Sequence, residues 1–238
     1  MNWLDLTLSS PSLNLALDEA LLDQCEEGSS DEVLRFWEPR EPFVVLGYSN
    51  KVLSEVNLSY CRENNIPVLR RTSGGGTVLQ GPGCLNYSLV LASERRPETS
   101  NITRTNGFIM EKHRACLEAL LGSPVRVRGH TDLAHGDLKF SGNAQRRKRN
   151  FLLFHGTFLL DFDLPLVEKT LSMPSRQPDY RKNRPHRDFV ANVPLKRETV
   201  KEALKTCWGA SERMKEIPEK LTAELDRMFS DPEFIHKF

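Results

Sequence analysis

Apolar positions first recur at helical spacing over residues 13–21, where Leu13, Ala16, Leu17, Ala20 and Leu21 line one face. Ser10 offers an N-cap and Pro11 a first-turn proline, and Gly28 marks the stop. From residue 33 the pattern changes. VLRFW (33–37), FVVLGY (43–48), PVLRR (67–71), TVLQ (77–80) and LNYSLVL (85–91) read as short strands punctuated by Pro, Gly and Asn. Residues 51–64, between two of them, have a helical look. A second amphipathic helix is predicted over 106–121 through Ile109, Cys116 and Leu120, followed by strands at 124–129, 138–142 and 151–162. The segment PSRQPDYRKNRPHR (174–187) is rich in Arg and Pro and reads as an exposed loop. Two helices close the chain, one presenting Val200, Leu204 and Trp208, the other Leu221, Leu225, Met228 and Phe229. Because strands come in runs with few helices between them, the pattern predicts an α+β protein with a mixed or antiparallel sheet covered by helices, rather than a doubly wound fold.

Composition narrows the function classes. With 238 residues and 39% hydrophobic content, the chain can bury one large domain, or one domain with a small appendage. Its 33 Lys+Arg against 32 Asp+Glu generate no global basic field, so neither nucleic acid nor an anionic membrane is an expected partner. Anion binding must then be local. The first fifteen residues lack a signal-peptide pattern and no stretch has the length of a membrane span, so the expected location is cytoplasmic. The five cysteines, Cys25, Cys61, Cys84, Cys116 and Cys207, are scattered without CxxC spacing, which argues against a disulfide framework and against a zinc site.

The stretch RRTSGGGTVLQGPG (70–83) carries the most chemistry. Consecutive glycines permit positive φ and remove the Cβ atoms that would keep a ligand away from main-chain N–H groups, so an anion can lie against the backbone. The stretch lacks GxxxxGK[ST] and GxGxxG spacing and runs strand to strand, so it is not a familiar phosphate loop; a tight hairpin tip is the plain alternative. Strand alternation sends Arg70 and Arg71 to opposite faces, so at most one faces the site. Further on, Lys139 sits in a short strand ahead of Ser141-Gly142, as a point charge beside a turn or as a solvated lysine. Asp132 suits a metal ion, a ribose hydroxyl or a turn cap. His155 interrupts an apolar run before Gly156, where a core role is the commoner one.

Five segments in order, NLALDEALL (14–22), PFVVLGYSNKVLSEVN (42–57), RRTSGGGTVLQGPGCLNYSL (70–89), TDLAHGDLKFSGNA (131–144) and FHGTFLLDFDL (154–164), together resemble the lipoate–protein ligase A family of the biotin/lipoate protein ligase superfamily, over roughly residues 10 to 190. The resemblance implies a large mixed sheet and a smaller one flanked by helices, with a catalytic domain over 1–190 and a C-terminal helical extension, 191–238, packed on it. It implies ATP and Mg²⁺ as requirements, with lipoate activated to lipoyl-adenylate and passed to a lysine of an acceptor. That acceptor would be a lipoyl domain or a glycine-cleavage H-type protein. By the same resemblance Lys139 is the catalytic lysine and Asp132 lies near nucleotide and metal. Arg70, Ser73, Gly74, Gly75, Gly76, Thr77, Asn86, Ser141, Gly142 and His155 complete the acyl-adenylate site.

The chain departs from the family's pattern at Thr131, where Asn is usual, at Asn143, where a small residue is usual, and at Gln80-Gly81 in place of His-Asp. Only residues 191–238 stand where full-size ligases carry an additional C-terminal domain, so a separate accessory chain is a possible partner. The rival inside the superfamily is an octanoyltransferase that carries octanoate on a cysteine and needs no ATP. In relatives with a similar Gly-rich motif that cysteine falls near Thr131-Asp132, where this chain has none. A noncatalytic binder of lipoyl-adenylate or of the acceptor is the rival from another class.

Overall fold

The computed structural model describes residues 1–218, 221 and 223–238. The first half of the chain forms β1 (Asn2–Asp5), α1 (Pro11–Glu26), β2 (Val33–Trp37), β3 (Phe43–Leu46), α2 (Val52–Glu55), α3 (Leu58–Glu63), β4 (Val68–Arg70), β5 (Val78–Gln80), β6 (Cys84–Ala92) and α4 (Ile102–Leu121). The second half forms β7 (Val125–Arg128), β8 (Asp132–His135), β9 (Leu138–Arg147), β10 (Phe151–Leu159), α5 (Leu164–Thr170), α6 (Arg197–Trp208), β11 (Glu212–Arg213), α7 (Ala223–Ser230) and α8 (Pro232–Ile235).

Eight strands make one mixed sheet in the order β11-β1-β2-β6-β10-β9-β8-β7, and three make a smaller sheet in the order β4-β3-β5. β1 runs parallel to β2 and β11, and the other pairs of the large sheet are antiparallel. Strand alternation divides the large sheet into two faces. Leu34, Phe36, Leu89, Leu91, Leu152 and Phe154 pack against α4 and α6 through Ile109, Met110, Leu117, Val200 and Leu204. Val33, Val90 and Leu153 pack on the other face against Leu17, Leu21 and Leu22 of α1. The small sheet joins that second face, where Phe43, Val45 and Leu69 meet Ala16, Trp37 and Phe229. This is the expected α+β arrangement of a large mixed sheet, a small sheet and flanking helices.

Local signals explain where elements start and stop. The Ser10 hydroxyl accepts from the Leu13 amide at 3.1 Å to open α1. α4 begins at Ile102 rather than near residue 106, because Asn101 caps it and its first turn is polar and carries no apolar period. Residues beyond 190 do more than form helices: β11 extends the edge of the large sheet beside β1. Segment 174–187, expected to be exposed, is partly buried, because Arg181 and Arg184 lay their guanidinium groups 4.6 and 5.2 Å from the centre of the Phe189 ring instead of solvating them.

The α4–α6 face encloses a histidine. His113 is fully buried, and Trp208 Nε1 donates to its Nε2 at 2.8 Å. Nε2 is therefore the acceptor, and the neutral ring carries its proton on Nδ1, which has no partner. Burial, with a contribution from the Lys112 charge, pushes the His113 pKa down to about 3. Below pH ~6.5 the unfolded chain takes up a proton that the folded chain refuses, so stability falls as pH drops from there towards the folded value. The predicted slope in that window is up to about 1.4 kcal/mol per pH unit from this group. Urea unfolding of wild type and His113→Phe across pH 6.5 to 4 checks it: the variant should show a shallower slope, and equal slopes would contradict the assignment.

Candidate functional site

The glycine-rich segment links β4 to β5 and is held from beneath by Arg71. Arg71 Nη2 donates to the carbonyls of Gly74 at 2.6 Å and Gly76 at 2.8 Å, and Nε donates to Ser73 Oγ at 3.0 Å. In a trans peptide the N–H points opposite to the C=O, so anchoring carbonyls 74 and 76 turns the amides of Gly75 and Thr77 away from Arg71. Its named partners, the Val45 carbonyl included, are all neutral oxygens. Arg71 is 8% exposed, and burial pushes its pKa down to about 10, so it remains a cation near neutrality with no carboxylate paired to it among the described residues. Gly75 has φ +90°, and a Cβ there would lie 2.9 Å from Arg71 Nη2, whereas a Cβ at Gly74 or Gly76 would meet nothing within 4 Å. Gly47 completes the support, since a Cβ on it would lie 2.0 Å from the Gly75 carbonyl oxygen.

Arg70 points the other way, as alternation requires. It is fully buried, donates to the carbonyls of Gly47 at 2.9 Å and Tyr48 at 2.7 Å, and is gripped by the carbonyls of Phe234 (2.7 Å) and Ile235. The α8 segment is thus tied to the turn that backs the glycine loop. Of the adjacent arginines, Arg71 organises the loop directly, and Arg70 acts on it through Gly47.

Lys139 reaches the same face of the large sheet by an irregularity in β9. Ser141 pairs with Leu133 while Lys139 pairs with Ala134, a register shift that places Phe140 and Ser141 both toward the α4 side. The extra residue turns Lys139 onto the face of Gly142, as a bulge does when it re-aims a side chain. There the ammonium pairs with Asp132 Oδ1 at 2.7 Å, and the lysine side chain keeps 24% exposure. A Cβ at 142 would lie 2.8 Å from Lys139 Nζ, so any side chain there would push the ammonium out of this position. Asp132 Oδ2 accepts from the Tyr180 hydroxyl at 2.7 Å, so both carboxylate oxygens are engaged. No group of three His, Cys, Asp or Glu side chains suited to a metal occurs among the described residues. A resident Mg²⁺ does not fit this donor set, and a divalent ion would have to bring its other ligands with a phosphate-bearing substrate.

His155, on β10, joins the glycine loop to the interior. Its Nε2 lies 2.6 Å from Ser73 Oγ, and its Nδ1 lies 3.9 Å from Asp18 Oδ2. Asp18 in turn binds Arg35 Nη1 at 2.5 Å, both side chains being buried. Burial raises the Asp18 pKa, but the opposing pull of Arg35 and His155 outweighs it and leaves the carboxyl below its ordinary value. Glu19, next in the helix, accepts from Thr72 Oγ1 at 2.8 Å and pairs with Arg146 at 3.2 Å. Two sequential acids on α1 therefore position the start of the loop.

Asn86 shares this face, where the hydroxyl of Thr157 donates to its Oδ1 and Gln80 Nε2 donates to the same hydroxyl oxygen at 2.6 Å. Thr77 Oγ1 and Asn86 Nδ2 are buried without a partner, an unusual state for buried polar atoms. Ser141 is the predicted site residue turned away: it lies on the opposite face beside Asn143. The two departures at 131 and 143 are each other's partners. Thr131 Oγ1 donates to the Asn143 carbonyl at 2.7 Å, and Asn143 Nδ2 donates to the Thr131 carbonyl at 2.6 Å. Asn143 occupies space that only Gly156 leaves free, since a Cβ at 156 would lie 1.7 Å from its Oδ1.

Sequence reasoning did not name Asp18, Glu19, Arg35, Arg71 or Tyr180 as site residues. An acidic pair inside the apolar run LALDEALL and an arginine inside VLRFW were the available signals, because a charge on a buried face must find a partner.

Comparison with known families matches residues 10–207 to the lipoyl protein ligase A/B catalytic domain. Lipoate–protein ligase 1 of Staphylococcus aureus is 29% identical over 212 residues, covering 86% of this chain and 62% of the relative. The octanoyltransferase LipM of Oceanobacillus iheyensis is 30% identical over 196 residues, covering 76% of this chain and 71% of LipM. Other lipoate–protein ligase relatives are spanned over only 46% and 43% of their length. Among solved structures, a lipoate–protein ligase A bound with ATP has a TM-score of 0.79 at 27% identity, covering 98% of this chain and 96% of that one. A bi-partite lipoate protein ligase from Thermoplasma acidophilum, described with its E2 lipoyl domain, has a TM-score of 0.76 at 26% identity over 98% and 92%. No described helix is long and apolar enough to cross a membrane.

The Asp18–Arg35 pair generates a stability prediction. Asp18→Asn removes the carboxylate from a fully buried guanidinium and should cost about 3–5 kcal/mol at neutral pH. Because the folded pKa of Asp18 lies below the unfolded value of ~3.9, wild type loses this contribution only as pH falls through that region. Urea midpoints at pH 7 test the claim, and a loss below ~1 kcal/mol would refute the pair's role.

Proposed function

The chain belongs to the lipoyl protein ligase A/B catalytic-domain family, and we propose that it is a lipoate–protein ligase that activates lipoate with ATP and transfers the lipoyl group to a lysine of an acceptor domain. In the first step the lipoate carboxylate attacks the α-phosphorus and pyrophosphate leaves. In the second an acceptor amine attacks the acyl carbonyl and AMP leaves. Both steps bring anionic oxygens to one place, which water alone disfavours. The observation that carries the reading is the convergence of Lys139 with a glycine loop whose Gly75 and Thr77 amides are turned away from an uncompensated Arg71. Preorganised donors of this kind favour the charge that develops on carbonyl and phosphate oxygens. Asp132 and Gly142 hold the Lys139 ammonium in place before substrate arrives. Ser73, whose hydroxyl accepts from Arg71 and contacts His155, fixes the start of the loop. Magnesium fits only as part of the substrate nucleotide.

The LipM likeness makes an acyl-enzyme transferase the second reading, with octanoate as the acyl group. The cysteines count against it. Cys84 is 1% exposed and burial pushes its thiol up to about 12. Cys25 and Cys61 are buried in separate clusters, and Cys116 and Cys207 pack against the α4–α6 core on the far face. A thiolate nucleophile needs an electropositive, accessible setting on the site face, which none of the five has.

For partners, we infer a lipoyl-domain or H-type acceptor and a separate accessory chain. The likeness to a bi-partite lipoate protein ligase and to lipoate–protein ligase A subunit 1 of Thermoplasma acidophilum supports the second. A cytoplasmic setting suits these substrates.

Two experiments test the site. Lys139→Ala should keep the fold and lose about 10²–10³-fold in both adenylate formation and transfer from preformed lipoyl-adenylate, with incomplete rescue by Lys139→Arg, whose planar fork cannot replace a point charge. Near-wild-type rates in both half-reactions would sink the assignment. Gly76→Val, placed where a side chain meets nothing, should leave the melting temperature unchanged while blocking lipoate-dependent pyrophosphate release. Gly75→Val should lower the melting temperature because of its positive φ. Full activity in a folded Gly76→Val protein would remove the loop from the ligand site.

A further inference from the structure

Two of the five cysteines meet on the face of the molecule away from the candidate site. Cys116 lies on α4 and Cys207 on α6, helices packed side by side over the same core. Cys207 Sγ lies 3.8 Å from the carbonyl oxygen of Lys112, one turn before Cys116 on α4, which sets the two cysteines beside each other across the α4–α6 contact. Both residues are half-buried, whereas Cys25, Cys61 and Cys84 are closed off. The Lys112 ammonium sits 4.8 Å from the centre of the Trp208 ring, beside Cys207. The neighbouring Cys116 thiol and the Lys112 charge lower the Cys207 pKa, while Cys207 and burial raise that of Cys116. The Lys112 ammonium beside Cys207 favours a thiolate there, and Cys116, adjacent across the helix contact, is placed to resolve a mixed disulfide.

We propose that Cys116 and Cys207 form an exchange-active thiol pair that closes to an intramolecular disulfide on reaction with a low-molecular-weight disulfide. The Cys207 thiolate attacks one sulfur of the small disulfide, whose S–S bond breaks and releases the first small thiolate, which takes a proton from solvent. Cys116 then loses its proton and attacks the Cys207 sulfur of the mixed disulfide, releasing the second small thiolate. The pair is oxidised by two electrons, and the small disulfide is reduced to two thiols. The remaining three cysteines, buried and with raised pKa values, stay reduced in the folded protein.

The test treats the reduced, folded protein with oxidised glutathione and follows intact mass and non-reducing peptide maps, for wild type, Cys116→Ser and Cys207→Ser, with circular dichroism confirming each fold. Wild type should lose two hydrogens and yield a single cross-linked peptide pair containing Cys116 and Cys207. Cys116→Ser should retain one glutathione on Cys207, trapped for want of a resolving thiol. Cys207→Ser should react at least tenfold more slowly. A persistent glutathione on Cys207 of wild type would show that the sulfurs cannot meet. Modification spread over all five cysteines of the folded protein would show that the pair has no special reactivity. Either result overturns the proposal, and neither bears on the ligase reading, which rests on the opposite face.

Discussion

Arg71 keeps its positive charge in the interior with neutral oxygens as its hydrogen-bond partners among the described residues, and the arrangement of the site follows from that. A buried cation is costly unless something offsets it, and here the offset is a ring of carbonyls drawn from Val45, Gly74 and Gly76. Binding those carbonyls dictates the conformation of the glycine loop and turns its alternate amides outward. It also leaves a net positive potential under the loop that an anionic ligand can complete. The turn at Gly47 must approach the Gly75 carbonyl closely, and Arg70 secures that turn by clasping Gly47, Tyr48 and the carbonyls of α8. Residues far apart in sequence therefore converge on one loop because two charges need oxygen atoms.

The large sheet supplies the opposite wall by dividing its labour between faces. The α4 face is apolar and carries the core. The α1 face begins apolar near Val33, Val90 and Leu153 and becomes polar towards Asn86, His155 and Thr157, where the small sheet's loop comes down on it. The shift in β9 moves Lys139 to this side, so one irregularity in an otherwise regular strand decides whether the lysine faces the apolar α4 side with Ser141 or stands beside Gly142 and Asp132. Asp132 and Gly142 then hold the ammonium in position, and the Asp18–Arg35 pair fixes His155 from behind.

Much of this was legible beforehand. Strands β2 to β7, β9 and β10, with α1, α4 and α6, follow from period and punctuation, whereas β1 and β8 were not predicted; glycine clustering and the family resemblance pointed to the segments that meet at the candidate site. The register shift was not legible, because Lys-Phe-Ser-Gly reads as simple alternation and would put Lys139 and Ser141 on one face, whereas the structure separates them. Nor could alternation tell which of Arg70 and Arg71 faces the loop, since that depends on the α8 segment arriving from more than 160 residues away. The 174–187 segment looked solvated because its arginines were counted as charges rather than as planes that stack on Phe189. Short elements such as β11, two residues long, carry no periodic signal and exist only because an edge strand receives them.

The central claim is that this site joins a carboxylate to a nucleotide before passing it on, with no covalent acyl-enzyme. The most direct test incubates the protein with lipoate and a lipoyl domain, with and without ATP, and reads the intact mass of the acceptor and of the protein itself. The account predicts that the acceptor gains one lipoyl group only when ATP is present and that no cysteine of the protein carries an acyl adduct. Acyl transfer to the acceptor from an octanoyl-carrier thioester without nucleotide, through a thioester on one of the five cysteines, would contradict it.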